Sequence, residues 1–464
     1  MNYEESVRAL LALGRELAAP RQPAQSSAAG AQIQKFGLKN IETLSASLGN
    51  PHRAVPCAHI AGTNGKGSTA AMLESILRAA GLHTGLYTSP HLERVNERIR
   101  INGENVSDED FAAAWTQVHS NIESLMASGA LAAHPTYFEC VTAMAFLIFA
   151  QKELDFVVYE VGLGGRLDST NIVTPEVAII TSIDFDHESF LGHSIAEIAS
   201  EKAGVIKPGI TVVSAAERPD ARTVIAERCR QVGAHLVEVD SAYRVRFTHC
   251  VDGRYPAIAV PRRGGGAKLS LDPPLPGRFQ IRNALAAAAA ARVLAERGFH
   301  LNDEKIEFGI RSVHWPGRLE KLSEQPAVYL DGTHNPGGAR ELVRFWKENF
   351  SGRRILLVYG TVRDKAVDEI AGLLFPHAER VILTAPRQPR AISAEVLAEM
   401  TGHLAASFLV EADPQRALER AIEMASPKDA VFATGSLYLV GEWLAYWRNR
   451  KTPPQAPAGI RHSE

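Results

Sequence analysis

Short apolar runs alternate with longer segments of helical periodicity along most of the chain. The run VPCAHIAG predicts a strand, and the segment STAAMLESILRAAG after the glycine-rich turn predicts a helix that Gly81 would end. The series continues with the strand LHTGLYT, a helix capped by Ser107, an apolar helix from Thr136 and the strand DFVVYEV. This alternation is typical of a mostly parallel sheet with helices on both faces, so we expect an α/β domain.

The same pattern returns in the second part of the chain after an interruption. The runs EVAIITS and ITVVSA extend the first series, with a helix predicted over 194–203 between them. Residues 243–271 read instead as short β runs with Gly and Pro turns, and NALAAAAAARVLAERG predicts a tightly packed helix. From Ala327 onward, strands and helices alternate again up to the run DAVFATGS, which predicts a second α/β domain.

The tripeptide WPG marks the expected boundary between the two domains. We therefore expect one domain over residues 1–312 and another over 313–450. Residues 451–464 have the composition of a disordered tail, and residues 20–31 that of a loose loop.

Composition and charge exclude several classes of protein. With 464 residues, 45% hydrophobic and 22% charged, the chain should fold as a globular protein of two or more domains. Fifty Lys and Arg residues against 52 Asp and Glu leave no positive surplus to neutralise a phosphate backbone, so nucleic acid is not an expected partner.

Cysteine usage and apolar runs indicate the compartment. The four cysteines form no CxxC pair, which excludes a zinc knuckle and a dense disulfide framework and favours a reducing cytoplasm. Acidic residues stand near the N-terminus where a secretory signal would be basic, and the segment reads as an amphipathic helix. The most apolar stretch, residues 140–150, is shorter than the roughly 20 residues that cross a bilayer. We expect no association with a membrane.

The strongest chemical motif is a glycine-rich loop between the first predicted strand and helix. Successive backbone N–H groups and a helix N-terminus at such a loop bind phosphate, and Lys66 would reach the β- and γ-phosphates. The motif departs from the strict P-loop pattern because Gly67 stands between Lys66 and Ser68. A purely structural turn would not require a lysine and two hydroxyls. The candidate phosphate-binding residues are Gly62, Thr63, Asn64, Gly65, Lys66, Gly67, Ser68 and Thr69.

Three further side chains follow successive predicted strands. Ser89 lies in TSPHL, Glu160 ends DFVVYEV, and His187 lies in DFDHESFLG. Because parallel strands end at one edge of a sheet, these side chains form a candidate Mg²⁺ site. Taken alone, Ser89 is better explained as a cap or turn serine, and His187 has a plain alternative as a loop histidine. Asp184 and Asp186 are further candidate ligands, or else turn residues.

Two more motifs are ambiguous when they are considered singly. Lys202, in SEKAGVIKPG, is better explained by pattern alone as a surface or ion-paired lysine. In DGTHNPGG, Asp331 is placed to bind ribose hydroxyls, and His334 or Asn335 to face a nucleotide. The alternative for this motif is a helix cap.

Together the motifs resemble one family over nearly the whole chain. In order, they are GTNGKGS, TSPHL, EVGLGGRLDSTN, DHESFLG, EKAGVIK, WPGRLE and DGTHNP. This set resembles folylpolyglutamate synthase and the bifunctional dihydrofolate synthase, within the Mur ligase superfamily. The GKGS ending resembles the folate branch, whereas cell-wall Mur ligases usually have GKT[ST]. The resemblance implies a P-loop ATPase-like N-terminal domain with a mostly parallel sheet and a smaller Rossmann-like C-terminal domain.

The resemblance also implies an activity. The γ-phosphate of ATP would pass to a substrate carboxylate, and the amino group of L-glutamate would attack the resulting acyl phosphate. Dihydropteroate and reduced folates are the implied acceptors, with Mg²⁺, in two ions, as the metal cofactor. Lys202 matches a lysine that the family carbamylates, and Lys66, Lys202 and His187 are the implied catalytic residues. The family also suggests a monomer.

Further contacts are carried over from the same resemblance. The implied ligands of the nucleotide's other side are Asn283, Arg318, Asp331 and His334, and those of the pterin are Phe138 and Asp168. Closure of the two domains would complete the site. The chain departs from the family at Ser169, where alanine is common, and at Phe279, where histidine is common.

Two other functions compete with this one. A ligase of the same fold could act on another carboxylate, such as a cell-wall precursor, but the GKGS loop argues against it. A nucleotide-dependent switch would be expected to carry an NKxD motif, and the sequence has none. Whether one or both folate ligase activities are present is left open by the sequence.

Overall fold

The chain divides into two compact units. The computed structural model describes residues 1–14, 37–262, 266–363 and 365–451. The units are Met1–Trp315 and Pro316–Glu464, so the first extends slightly beyond residue 312, where we expected it to end. The expected loose loop at 20–31 lies outside the described residues. So does the expected tail, apart from residue 451, which ends a helix.

The first unit contains two sheets and the helices that cover them. Its strands are β1 Cys57–Ala61, β2 Thr84–Tyr87, β3 Ile99–Ile101, β4 Glu104–Asn105, β5 Phe156–Glu160, β6 Val177–Ile180, β7 Thr211–Ser214, β8 His235–Glu238, β9 Tyr243–Phe247, β10 Ala257–Pro261 and β11 Leu269–Leu271. Its helices are α1 Tyr3–Ala12, α2 Lys39–Ser47, α3 Lys66–Ala79, α4 Asp108–Ala127, α5 Tyr137–Gln151, α6 Glu188–Leu191, α7 Ile195–Ala203, α8 Pro219–Val232, α9 Val239–Ala242, α10 Phe279–Glu296 and α11 Asp303–Ser312. Short 3₁₀ turns cover Pro51–Arg53, Val95–Arg98 and Ser169–Ile172.

The large sheet brings the ends of the motif-bearing strands together. Within the described residues its strand order is β4-β3-β2-β5-β1-β6-β7-β8. All neighbours pair in parallel except β2 with β3 and β3 with β4. Strand β1 is central, between β5 and β6, so the loops after β1, β2, β5 and β6 leave the same edge. The predicted α/β class is confirmed.

Helix α10 packs against α3 and against β6 and β7 through alanines. Its alanines from Ala284 to Ala291 are buried in one apolar cluster with α3. Alanine has the highest helix propensity, and its small side chain allows close approach of neighbouring elements. Near its ends the helix is held by polar contacts: Arg282 Nη2 donates to Asp240, and Arg292 Nη2 donates to Asp303 at 2.9 Å. The prediction of a tightly packed helix is confirmed, and the helix begins at Phe279, earlier than we expected.

The interruption at 243–271 forms a separate small sheet. Strands β9, β10 and β11 pair antiparallel in the order β11-β10-β9. This agrees with the short β runs and turns that the sequence predicts there.

The second unit is built on one mostly parallel sheet. Its strands are β12 Glu320–Glu324, β13 Ala327–Leu330, β14 Ile355–Tyr359, β15 Arg380–Leu383, β16 Phe408–Val410 and β17 Ala430–Thr434, and its helices are α12 Pro336–Asn349, α13 Val367–Leu374, α14 Ala394–Thr401, α15 Pro414–Met424 and α16 Leu437–Lys451, with 3₁₀ turns at Phe375–His377 and Gly402–Leu404. The order among described strands is β12-β13-β17-β14-β15-β16, and only β12 runs antiparallel to its neighbour. The alternation predicted from Ala327 onward is confirmed.

Among the described residues, the helices are all too short or too polar to cross a membrane.

Candidate active site

The phosphate loop joins the end of β1 to the start of α3 and leaves no room for side chains at two glycines. Gly62 and Gly65 have φ values of +151° and +86°, which L residues rarely adopt. A Cβ atom on Gly62 would lie 1.8 Å from Thr181 Oγ1, and one on Gly65 would lie 2.2 Å from Asn283 Oδ1. Backbone conformation and close packing therefore both require glycine at these positions.

The loop is fastened to the residues that follow β6. Thr63 N donates to the Ser182 carbonyl at 2.7 Å, and Thr181 Oγ1 donates to the Asn64 carbonyl at 2.8 Å. Thr63 Oγ1 donates to the Asp184 carbonyl at 3.0 Å. The loop thus keeps its shape through the residues that follow the adjacent strand β6.

Two lysines converge on one carbonyl of this loop. Lys66 Nζ donates to the Gly62 and Thr63 carbonyls at 3.1 and 3.2 Å. Lys202 Nζ donates to the Gly62 carbonyl at 2.8 Å, although the two residues are 140 positions apart. Lys202 is only 4% exposed, so the pattern-based interpretation as a surface lysine is wrong. Its placement at the phosphate loop agrees with the resemblance.

Close glycine packing positions the helix that carries Lys202. Helix α7 is capped by Ser194, whose Oγ accepts from Glu197 N. At its other end, a Cβ on Gly165 would lie 2.8 Å from the Lys202 carbonyl oxygen, and one on Gly204 would lie 2.4 Å from Arg166 Cα. The loop after β5 and the end of α7 therefore touch backbone to backbone.

Two of the three predicted metal ligands meet at the sheet edge. Ser89 N donates to Glu160 Oε2 at 3.1 Å, because β2 and β5 are adjacent parallel strands. Glu160 is only 4% exposed. His187 immediately precedes α6 and has a φ of +51°, and its Nε2 lies 3.7 Å from Asp186 Oδ1.

The alternative ligands are engaged in turns and an ion pair. Asp184 Oδ1 accepts from Phe185 N at 3.0 Å and from Arg218 Nη2 at 3.2 Å. Asp186 Oδ1 accepts from His187 N at 3.0 Å. In the part of the chain that the structure describes, no three His, Cys, Asp or Glu residues form a metal-binding group by themselves. A cation at the Ser89–Glu160 edge would therefore also need hydroxyl, phosphate or water oxygens, which are the ligands that Mg²⁺ prefers.

The expected pterin residues lie on and against the loop after β5. A Cβ on Gly162 would lie 2.6 Å from Phe138 Cζ, so this ring covers the start of the loop. Asp168 closes the loop: its Oδ2 accepts from Leu163 N at 2.9 Å, and its Oδ1 accepts from Thr170 N at 3.0 Å. Burial raises the pKa of the Asp168 carboxyl.

A buried polar chain continues from Asp168 to the centre of the sheet. Thr170 Oγ1 donates to Asp168 Oδ1 at 2.5 Å and lies 2.7 Å from His59 Nε2. Since the hydroxyl's one proton goes to Asp168, His59 Nε2 is the donor in the second contact. Burial lowers the pKa of His59 to about 3, so the ring is neutral. Sequence reasoning missed His59, and a histidine within the apolar strand CAHIA was the available signal.

The remaining predicted nucleotide residues divide between the units. In the first unit, Asn283 donates to Gln280 Oε1 at 2.9 Å and lies against Gly65.

In the second unit, Asp331 Oδ1 accepts from Thr333 N and Oδ2 from Leu319 N, both at 2.9 Å. His334 Nδ1 lies 2.7 Å from the Gly332 carbonyl oxygen, and a Cβ on Gly332 would lie 2.4 Å from Arg318 Nη1. Arg318, Asp331 and His334 therefore form one local cluster. Asn335 caps α12, as the alternative interpretation proposed for this motif.

Comparison with known proteins gives the same family for both units. The Mur ligase middle domain matches residues 60–291, and the Mur ligase glutamate ligase domain matches residues 317–437. A dihydrofolate synthase/folylpolyglutamate synthase of Bacillus subtilis is 36% identical over 420 residues, which cover 88% of this chain and 94% of that protein.

Solved structures agree over nearly the full length. Mycobacterium tuberculosis folylpolyglutamate synthase complexed with ADP and AMPPCP gives a TM-score of 0.84 at 31% identity, covering 97% of this chain and 100% of that one. Escherichia coli FolC in complex with DHPP and ADP gives 0.82 at 30% identity, covering 97% and 99%.

Proposed function

The chain belongs to the dihydrofolate synthase/folylpolyglutamate synthase family of Mur ligases and is an ATP-dependent ligase, and we propose that it catalyses both reactions of that name. It would add L-glutamate to dihydropteroate and to the γ-carboxyl of reduced folates. The observation that carries this proposal is the convergence of Lys66 and Lys202 on the Gly62 carbonyl, at the sheet edge where Ser89 meets Glu160.

The phosphate loop would bind the triphosphate of ATP. The N-terminus of α3 provides backbone N–H groups and a positive dipole end. Lys66 Nζ donates to two carbonyls of the loop, so it would be within reach of a phosphate that the same loop binds. Asn283, Arg318, Asp331 and His334 are the proposed contacts to the rest of the nucleotide.

Ser89, Glu160 and His187 fit a magnesium site in their chemistry. A hydroxyl, a buried carboxylate and an imidazole leave positions for phosphate and water oxygens, and we propose two ions as in the family resemblance. Bound Mg²⁺ would neutralise the charge of the transferred phosphoryl group. Glu160 is held in place for this role by the backbone N–H of Ser89.

Carbamylation of Lys202 fits its observed contact. In this modification the neutral amine attacks CO₂, an N–C bond forms and one proton leaves, which gives a carbamate anion. The nitrogen keeps one N–H, so the hydrogen bond from Lys202 Nζ to the Gly62 carbonyl can persist. The lysine would change from a cation into a carboxylate-like metal ligand beside the phosphate loop.

The reaction then needs positioning more than covalent help from the protein. The γ-phosphoryl group moves to the acceptor carboxylate and gives an acyl phosphate and ADP. The glutamate amine attacks the acyl carbon, inorganic phosphate leaves, and the amine loses a proton. Alignment of the reacting groups and electrostatic stabilisation are the main sources of rate in such steps. Phe138 and the loop closed by Asp168 are the proposed pterin contacts.

Cellular setting and assembly are part of the proposal. The four cysteines, all within the described residues, form no disulfide bonds, which agrees with a reducing cytoplasm. We propose a monomer on the family resemblance.

The test is glutamate-dependent phosphate release from MgATP, run in parallel with dihydropteroate and with a reduced folate. Release with both acceptors is the expected result, and release with only one would reduce the proposal to that activity. Lys66→Ala is the control that should abolish release with either acceptor. Turnover with a UDP-linked cell-wall precursor and with neither folate acceptor would overturn the proposal.

A further inference from the structure

The last residue of the first unit packs on the phosphate loop. Trp315 places its indole over Gly67, in the first turn of α3: a Cβ on Gly67 would lie 3.0 Å from Trp315 Cζ2 and 3.3 Å from Cε2. Gly67 lies within α3 and is not among the glycines of positive φ, so its backbone conformation does not demand glycine. The indole is what limits the side chain at this position.

Arg100 holds the same ring. Its guanidinium carbon lies 4.9 Å from the centroid of the Trp315 ring, within the range of cation–π attraction. Arg100 Nε also donates to the Glu97 carbonyl at 3.3 Å, which restrains the guanidinium. The ring therefore contacts Gly67 and a restrained cation.

Packing, rather than hydrogen bonding, fixes the indole. Trp315 packs against the apolar cluster that contains α3 and α10. Its Nε1 atom is buried and has no hydrogen-bond partner among the described residues. A ring held by shape and by a cation should be replaceable by another aromatic ring but not by a small side chain.

We propose that Trp315 is a positioning residue for ATP, which holds the first turn of α3 so that Lys66 and the backbone N–H groups of that turn meet the phosphates in a fixed arrangement. The glycine between Lys66 and Ser68, the departure from the strict P-loop pattern, is explained by the ring above it. This inference rests on the proposed function only in taking residues 62–69 as the ATP phosphate loop.

The test is a double-mutant cycle in the full chain, with ADP affinity measured by calorimetry without folate. Trp315→Ala should weaken ADP binding about tenfold, whereas Trp315→Phe should bind within about twofold of the parent. Gly67→Ala should weaken ADP binding when the indole is present. In the Trp315→Ala background, the same substitution should reduce ADP affinity by a factor at least about fivefold smaller. Gly372→Ala, where an added Cβ meets nothing within 4 Å, is the matched control.

Kinetics separate positioning from simple stability. Trp315→Ala should raise KM for ATP and leave KM for glutamate within about twofold. Unchanged ADP affinity in Trp315→Ala, or an equal cost of Gly67→Ala in both backgrounds, would overturn the inference. Absence of ADP binding by the parent chain would overturn it together with the phosphate loop. ADP binding without folate turnover would instead remove only the folate assignment, and the cycle would still decide the role of Trp315.

Discussion

The buried hydroxyl of Thr170 links the His59 ring to the Asp168 carboxylate, which also accepts from the backbone N–H groups of Leu163 and Thr170. In Thr170→Val the shape is kept, but His59 Nε2–H loses its acceptor and Asp168 Oδ1 loses its shortest hydrogen bond. A hydrogen bond to a charged group contributes about 1.5–3 kcal/mol, and a buried unsatisfied donor costs about 1–3 kcal/mol. We therefore expect the variant to lose about 3 kcal/mol or more of unfolding free energy.

Thr170→Ser is the matched control, because it keeps the hydroxyl and removes only a buried methyl, at about 1 kcal/mol. Scanning calorimetry of both full-length variants should place the Thr170→Val transition lower than the serine transition by about 4 °C or more. Folate affinity should also fall in the valine variant, since Asp168, which closes the loop from Leu163, loses one of its hydrogen bonds. If the two variants unfolded together, the hydrogen bonds assigned between the Thr170 hydroxyl and His59 and Asp168 would be wrong.

Three further perturbations test other parts of the site. Glu160→Gln keeps an acceptor for Ser89 N but removes the charge, so the Mg²⁺ concentration for half-maximal phosphate release should rise at least about tenfold; an unchanged requirement would exclude Glu160 as a ligand. Gly204→Ala places a Cβ against the Arg166 backbone, so calorimetry should show about 1–3 kcal/mol of destabilisation and activity assays should show reduced turnover. Parental stability together with parental turnover would contradict this packing. The pKa of His59 is about 3 in the folded state, below its ordinary value of 6.5. As pH falls below 6.5, the unfolded chain therefore takes up a proton on this ring and the folded chain does not. The free energy of unfolding falls as a result by about 1.4 kcal/mol per pH unit. Urea midpoints at pH 7 and 5 should therefore differ less in His59→Gln, and an equal difference would mean that the native ring titrates normally.

The local sequence pattern was sufficient to predict structural features that are formed by a single continuous segment. The strand, glycine loop and helix over β1 and α3 follow from an apolar run, turn glycines and helical periodicity, and the family assignment, the α/β class and the ATP-dependent ligase activity are confirmed. Strands β3, β4, β8 and β12 were not predicted, because most of their residues are partly or fully exposed and so form no clear apolar pattern.

Contacts between distant segments could not be read from the chain. Lys202 had the pattern of a surface lysine, but it is buried beside the phosphate loop, on a helix whose end packs against Gly165. His59 and Thr170 are 111 positions apart, and neither belongs to a motif whose chemistry names the other. The role of Gly67 was likewise invisible, since nothing in the sequence places Trp315 above it.

An alanine-rich helix has an almost smooth surface, so contacts near its two ends determine the position of α10 along its own axis. Side chains of equal, small size interlock weakly, so they do little to resist sliding of the helix along its axis. The ionic contacts of Arg282 with Asp240 and of Arg292 with Asp303, near either end of α10, oppose such sliding. Asn283 follows Arg282 directly and lies against Gly65. The position of α10 along its axis therefore also determines how closely Asn283 approaches the phosphate loop.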